Sequence, residues 1–316
     1  MIWIYLLAIK SKGTSKLMKM EKLLTMKGYY RHKKGNLYRV LYEAKDSETC
    51  EELIVYQAMY GKGEVWVRPK EMFFEEGRFQ YVEESEALKL IPIELNPKYR
   101  FPDIEYTATK VALIDKGDFS KNVKAMITLR GKEDEFENLG IKKDDDLEEY
   151  IIQLIKSYKP GDNLEEIFHL IQIWGGNSGR GIYLFGDGFN WEKLKPHYQD
   201  LVDACLPMTD VTEETLGVLV EAVSEFNKAV KFINVAFITK HTRYWLCRTL
   251  EENALPIYDS IMAGYVMQRN ADIKDLREYW DVMLAKSKQL GIGLVPLERQ
   301  IFKYAYEELN GRKYQE

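Results

Sequence analysis

Cysteine and histidine are scarce, at three and four residues among 316. Cys50, Cys205 and Cys247 are odd in number, widely scattered and in no CxxC spacing, which argues against a disulfide framework, an iron-sulfur cluster or a zinc site. None of His32, His169, His197 and His241 stands at i, i+4 to another or beside a carboxylate cluster, so no metal site is expected, and a chemistry without metal or cofactor is. Glycine-lysine phosphate loops of the GK[ST] type are also missing. The apolar start "MIWIYLLAIK" has about nine apolar residues, too few to span a bilayer, and it lacks the basic start and small-residue cleavage site of a signal peptide. It reads as a short strand, or as residues upstream of a start at Met18, Met20 or Met26. Together these absences predict a cytoplasmic protein with no membrane partner.

What is present is apolar bulk: 46% hydrophobic and 13% aromatic residues can bury one large core, or a medium core plus a small module. A net charge of -5 argues against indiscriminate coating of nucleic acid. The charge is unevenly placed, however. Residues 1–45 hold eleven Lys/Arg against two Glu, and residues 226–249 hold five cations with no acidic residue. Between them, "EDEFENLGIKKDDDLEE" (133–149) is strongly acidic and reads as a solvated loop.

From 28 to 82, the runs "LYRVLYEA", "EELIVYQAMY", "EVWVRP" and "RFQYV" are β-branched and aromatic, broken by "KKGN", "DSET", "GKG" and "EEG" turns. They predict a small β-barrel or meander. The stretch "GYYRHKKGNLYRVLYEAKDSETCEELIVYQAMYGKGEVWVRPKEMFFE" resembles the bacterial domain of unknown function DUF1653, a resemblance that implies no activity. Pro92, Pro97 and Pro102 then suggest a semi-rigid linker. From about 147 onward, apolar residues at three- and four-residue spacing predict helices, preceded by strands at "YTATKVALI" and "VKAMITL". The expected fold is α+β: an N-terminal extension (1–25), a β-barrel-like module (26–84), a linker (85–105) and a mainly α domain (106–316).

Within that domain, a helix over "VAFITKHTRYWLCRTL" sets Phe237, Lys240, Tyr244 and Cys247 on one stripe. A partly desolvated amine there, with Lys231 and Arg243 nearby, has a lowered pKa, the condition for a nucleophilic lysine near neutral pH. Downstream, "ENALPIYDSIMAGYVM" has a turn at Pro256 followed by a helical run, which puts Asp259 at or near an N-cap and keeps it ionised. A helix, a turn and the start of the next helix fit between the two, so both side chains can meet in one cleft.

A helix-borne lysine followed at this distance by an aspartate resembles the helix-hairpin-helix DNA glycosylases, and most closely the 8-oxoguanine glycosylase (OGG) fold. The likeness covers roughly 147–310 and rests on "TK" at 239–240, "PIYDS" at 256–260 and "WGGNSGRGIY" at 174–183. It implies Lys240 as the nucleophile that displaces a base and forms a Schiff base with the sugar, and Asp259 as the catalytic carboxylate. It also implies double-stranded DNA with a damaged or modified base as partner, 8-oxoguanine foremost, in a nucleoid-associated protein of bacterial or phage origin. The chain departs from that pattern at the hairpin, where "KFINVAFITK" has no glycine, and Asn234 is left to cap or turn it.

Base flipping needs aromatic or apolar faces and a wedge. Trp174, Tyr183, Phe185, Phe189 and Trp191, with Phe302 or Tyr304 in the last helix, are candidates. In "GGNSGRG", Gly176 allows close backbone approach, while Asn177 and Arg180 suit a phosphate or base edge. His241, Arg243 and Phe302 complete the expected DNA or base contacts. Each feature also has an ordinary reading: a snorkelling lysine, a plain N-cap, a helix C-cap turn, core aromatics. A catalytically inactive nucleic-acid-binding protein and an interaction protein built on a scaffold are therefore the alternatives.

Overall fold

The computed structural model describes residues 27–109 and 118–310, and the chain divides into two compact units, Met1–Lys98 and Tyr99–Glu316. The expected N-terminal extension and most of the strand at "YTATKVALI" lie outside the described residues.

In the first unit β1 (Gly28–His32), β2 (Leu37–Lys45), β3 (Glu52–Ala58), β4 (Val65–Pro69) and β5 (Phe79–Val82) form one antiparallel sheet in the order β4-β3-β2-β1-β5. Four strands fall on the expected runs, and β1 is added to them. The pairings do not join β4 to β5, so the described strands make an open sheet rather than the expected barrel-like closure. Alternation along β1 sends neighbouring tyrosines to opposite faces. Tyr29 packs with Leu37, Met59, Ala87 and Ile91, whereas Tyr30 packs with Val40, Ile54, Tyr56 and Phe73. Phe73 ends helix α1 (Lys70–Phe73), and Ala87 lies on α2 (Glu84–Leu90). The expected linker from 85 thus opens with a helix whose Ala87 is fully buried.

The second unit is helical: α3 (Lys121–Arg130), α4 (Glu133–Leu139), α5 (Asp144–Ser157), α6 (Leu164–Trp174), α7 (Gly181–Leu184), α8 (Trp191–Cys205), α9 (Glu213–Ala229), α10 (Val235–Leu246), α11 (Ser260–Val266), α12 (Leu276–Leu290) and α13 (Leu294–Asn310). Among the described residues the chain is therefore α+β, a sheet followed by helices. Two sequence expectations are overturned. "VKAMITL" is not a strand but part of α3, because Ser120 caps it, Gly131 ends it in a left-handed conformation, and Val123, Met126 and Ile127 form a buried helical stripe. The acidic 133–149 stretch is not a solvated loop but α4 and the first turn of α5. Its carboxylates face the positive helix ends, and Phe136 and Glu148 are buried.

Helices α9 and α10 follow one another across a short connection at 230–234. Thr212 starts α9 with a capping box, and Asn234 starts α10, its side chain accepting from Phe237 N at 3.2 Å. At the connection Phe232 occupies the left-handed region with φ 63, a place that favours glycine. No helix of the described residues is long and apolar enough to cross a membrane.

Candidate active site

Lys240 lies on α10 and is half-buried. Its Nζ donates to the Gly175 carbonyl at 3.2 Å and sits 4.2 Å from the centroid of the Phe237 ring. This contact depends on two glycines. A methyl group added at Gly175 or Gly179 would lie 2.3 Å from the Phe237 ring, so only glycine lets the turn after α6 lie flat against α10. Burial lowers the Lys240 pKa below the ordinary lysine value, and the carboxylates of Asp259 and Glu298 oppose part of that shift.

Asp259 is the N-cap of α11, accepting from Ile261 N at 3.0 Å and Met262 N at 2.9 Å. Burial raises its pKa, while Lys240 and the two backbone N–H groups pull the other way. The turn leading into it is fastened at successive residues. Trp280 Nε1 donates to Pro256 O at 2.9 Å, Tyr279 Oη donates to Ile257 O at 2.9 Å, and Ile257 N donates to Glu298 Oε1 at 3.0 Å. Tyr258 N donates to Thr239 Oγ1 at 3.0 Å. Thr239 directly precedes Lys240, so the lysine's helix and the aspartate's turn are tied by one hydrogen bond.

Lys240 and Asp259 line the same cavity, of about 230 Å³. That is below the roughly 300–1,000 Å³ of pockets for drug-sized ligands. Trp174, Phe302 and Tyr306 supply its aromatic walls, and Ser120, Asn122 and Asp144 its polar edge. Behind it lies a buried charge network. Arg243 Nη1 is 3.2 Å from Glu298 Oε2 and its Nη2 3.9 Å from Glu148 Oε1, while Arg299 pairs with Glu148 and, at 3.9 Å, with Asp145. Arg243, Glu148, Glu298 and Arg299 are all under 5% exposed. Burial raises the Glu298 pKa, with Arg243 the main opposing influence. Removing one member of such a network leaves an uncompensated buried charge, at a cost on the order of 3–5 kcal/mol.

The described sheet lies wholly outside this cavity. Residues 28–84 match the family described as a protein of unknown function, DUF1653. No curated protein and no solved structure matches the chain. The DUF1653 match therefore covers the β unit, and the cavity belongs to the helical unit, for which the residues themselves are the only guide.

Of the expected site residues, the structure brings Lys240, Asp259, Trp174, Gly176, Arg243 and Phe302 to one cavity. Trp174 stands edge-on to Tyr244 at 5.1 Å, and Phe302 stacks with Tyr306 at 6.1 Å. Arg243 reaches the wall with its guanidinium committed to carboxylates. Asn177 and Arg180 are elsewhere, on the short turn before α7, 3.5 Å from each other. His241 is a correction to the expected DNA or base contact, because one residue along a helix from Lys240 turns the side chain by about 100° into the core. It is fully buried, Tyr198 Oη is 2.9 Å from its Nδ1, Gln172 Nε2 is 3.2 Å from its Nε2, and its ring stacks on Phe168 at 4.7 Å. Burial holds its pKa at about 3. Of the other aromatic candidates, Tyr183 binds His169 at 2.8 Å and Phe189 stacks on Phe168, both away from the cavity.

Glu298, Arg299 and Tyr306, all on α13, and Glu148 and Asp144 on α5 escaped the sequence reading. One signal was available: Glu298 and Phe302 stand at i, i+4, and a Glu-Arg pair inside the apolar run "LVPLERQIF" needs buried partners. Among the described residues no group of three or more His, Cys, Asp or Glu is placed to hold a metal ion.

Proposed function

We propose that the helical unit is a bifunctional DNA glycosylase and abasic-site lyase of the OGG-like, helix-hairpin-helix kind, acting on an oxidised or otherwise modified base in double-stranded DNA, with 8-oxoguanine the foremost candidate. The observation that carries this reading is the meeting of the half-buried Lys240 amine and the N-cap carboxylate Asp259 in one aromatic-walled cavity. The pairing of α9 and α10, with Lys240 on the second helix, supports it further.

In this reading a flipped base enters between Trp174 and Phe302. The Lys240 amine, whose pKa burial lowers, attacks C1′ of the sugar; the bond from C1′ to the base breaks, and its electron pair leaves with the base, which takes up a proton. Asp259 stays an acceptor for α11 and places its negative charge beside the positive charge that develops on the sugar. The amine-sugar adduct opens its ring to a Schiff base. Loss of a C2′ proton then expels the 3′ phosphate and nicks the strand.

Borohydride trapping tests this on duplexes carrying 8-oxoguanine, an abasic site or no lesion. The expected result is a covalent adduct on the 8-oxoguanine duplex that disappears in Lys240→Gln. An adduct on the abasic duplex alone keeps the lyase step and moves the search to other bases, whereas no adduct on any duplex refutes the mechanism and leaves the inactive nucleic-acid-binding protein.

A further inference from the structure

A separate, shallow cavity of about 420 Å³ opens on the DUF1653 unit. Arg31 and His32 line it from the end of β1, Lys33 from the turn that follows, Gly77 and Arg78 from the turn before β5, and Phe79 from the start of β5. The two turns are fixed to each other: Lys33 N donates to Arg78 O at 2.9 Å, and β1 pairs with β5 through His32 and Phe79. The cations are therefore presented on a rigid frame rather than on a floppy tail.

Their charges are also largely unspent. Arg78 is engaged by Glu75 at 2.5 Å, and Arg68 binds the Tyr56 hydroxyl at 3.2 Å. Arg31, Lys33 and Lys34 have no ion-pair partner among the described residues; Glu75 feels Lys33 only at a distance. Beside Lys33 and Lys34 lies the half-buried imidazole of His32, which strand alternation turns away from Arg31. Its Nδ1 accepts from Lys34 N at 3.2 Å and its ring centroid lies 4.9 Å from that of Phe79. Burial and then Lys33, Lys34, Arg68 and Arg78 all lower its pKa.

Arg31 lies in β1 while Lys33 and Lys34 lie in the turn that follows it, so the cations are spread along the chain rather than gathered round one point. That spacing, beside a partly open His-Phe pair, matches a run of phosphates with flat rings or sugars between them better than a single anion. We propose that this cavity of the DUF1653 unit binds the sugar-phosphate backbone of a nucleic acid, with Arg31 and Lys33 of its lining and Lys34 of the adjoining turn on phosphate oxygens, and the His32–Phe79 edge against the adjoining nucleoside. The unit would then supply sequence-independent grip on the polymer, a function separate from chemistry at Lys240.

The test uses the full chain and undamaged oligonucleotides, duplex and single-stranded, in fluorescence anisotropy across a series of salt concentrations. Replacing Arg31, Lys33 and Lys34 by alanine should weaken binding to every sequence alike and lower the slope of log affinity against log salt by about 2–3, at roughly 0.9 per phosphate contact on duplex and 0.7 on single strand. A second variant, Lys33→Gln with Lys34→Gln, changes only exposed turn residues and should give about two-thirds of that effect. A control removing Lys27, Lys45 and Lys62, exposed elsewhere on the unit, should leave the slope in place. An unchanged slope in the cavity variants, an equal fall in the control, or tighter charge-dependent binding to phosphatidylserine vesicles or to inorganic phosphate than to the oligonucleotides overturns the proposal. Because no lesion is present, this outcome is independent of whether Lys240 forms an adduct.

Discussion

Replacing Glu298 by glutamine probes how the cavity sets the reactivity of Lys240. The substitution keeps a side-chain oxygen to accept from Ile257 N and removes one negative charge from the wall that faces the amine. An anion near an ammonium favours the charged form, so its loss lowers the lysine pKa further. Across a cavity of this size, at an effective dielectric constant of about 20, one unit charge acts with roughly 2 kcal/mol, or about 1.5 pK units. Arg243, 3.2 Å from Glu298, is present before and after the substitution and does not offset the change, so a fall of that order is expected. The assay is the pH dependence of single-turnover nicking on an abasic duplex, paired with the pH dependence of acetylation at Lys240 read by peptide mass spectrometry. Both acid limbs should move to lower pH together. An unmoved limb, or one displaced upward, refutes the electrostatic reasoning, and the acetylation readout does so even if the protein has no lyase activity.

Two further outcomes follow from the same geometry. Asp259→Ala removes the α11 cap and should cost about 1 kcal/mol in urea unfolding, whereas Asp259→Asn keeps the cap and the stability; neither should turn over substrate, which separates the structural role of the residue from its charge. His241→Leu should leave the Tyr198 hydroxyl and the Gln172 amide each short of a buried partner, lowering stability by about 1–3 kcal/mol for each, with duplex affinity unchanged once the variant is folded.

The two residues at the centre of the cavity were legible because their signals are local. Lys240 stands out on an apolar stripe, and Asp259 follows Pro256 immediately before a helical run, so periodicity and capping preference suffice. The strands of the DUF1653 unit were legible for the same reason, through β-branched runs and glycine turns. Errors arose where local pattern misleads. "VKAMITL" is β-rich in composition, yet a Ser cap and a buried three- and four-residue stripe make it helical. α8 runs through Pro196, a residue that disfavours a helix interior, yet Asn190 caps it and Tyr198, Leu201, Val202 and Cys205 bury one face. The back wall of the cavity was beyond reach for a different reason. Glu148 meets Arg299 across 151 residues, and no spacing rule connects positions so far apart.

That distance in sequence has a consequence for the order in which the protein acquires its chemistry. Lys240 leaves the ribosome before α13 does, and without α13 the amine lacks Glu298, Arg299, Phe302 and Tyr306, a large part of what encloses it. An unenclosed lysine keeps ordinary basicity, close to 10.4, and is almost wholly ammonium at neutral pH. The lowered pKa of Lys240 is thus a property of the helical unit with α13 in place, after long-range contacts of the kind that slow folding have formed. Maturation of the amine is in this way a report on the completion of the helical unit.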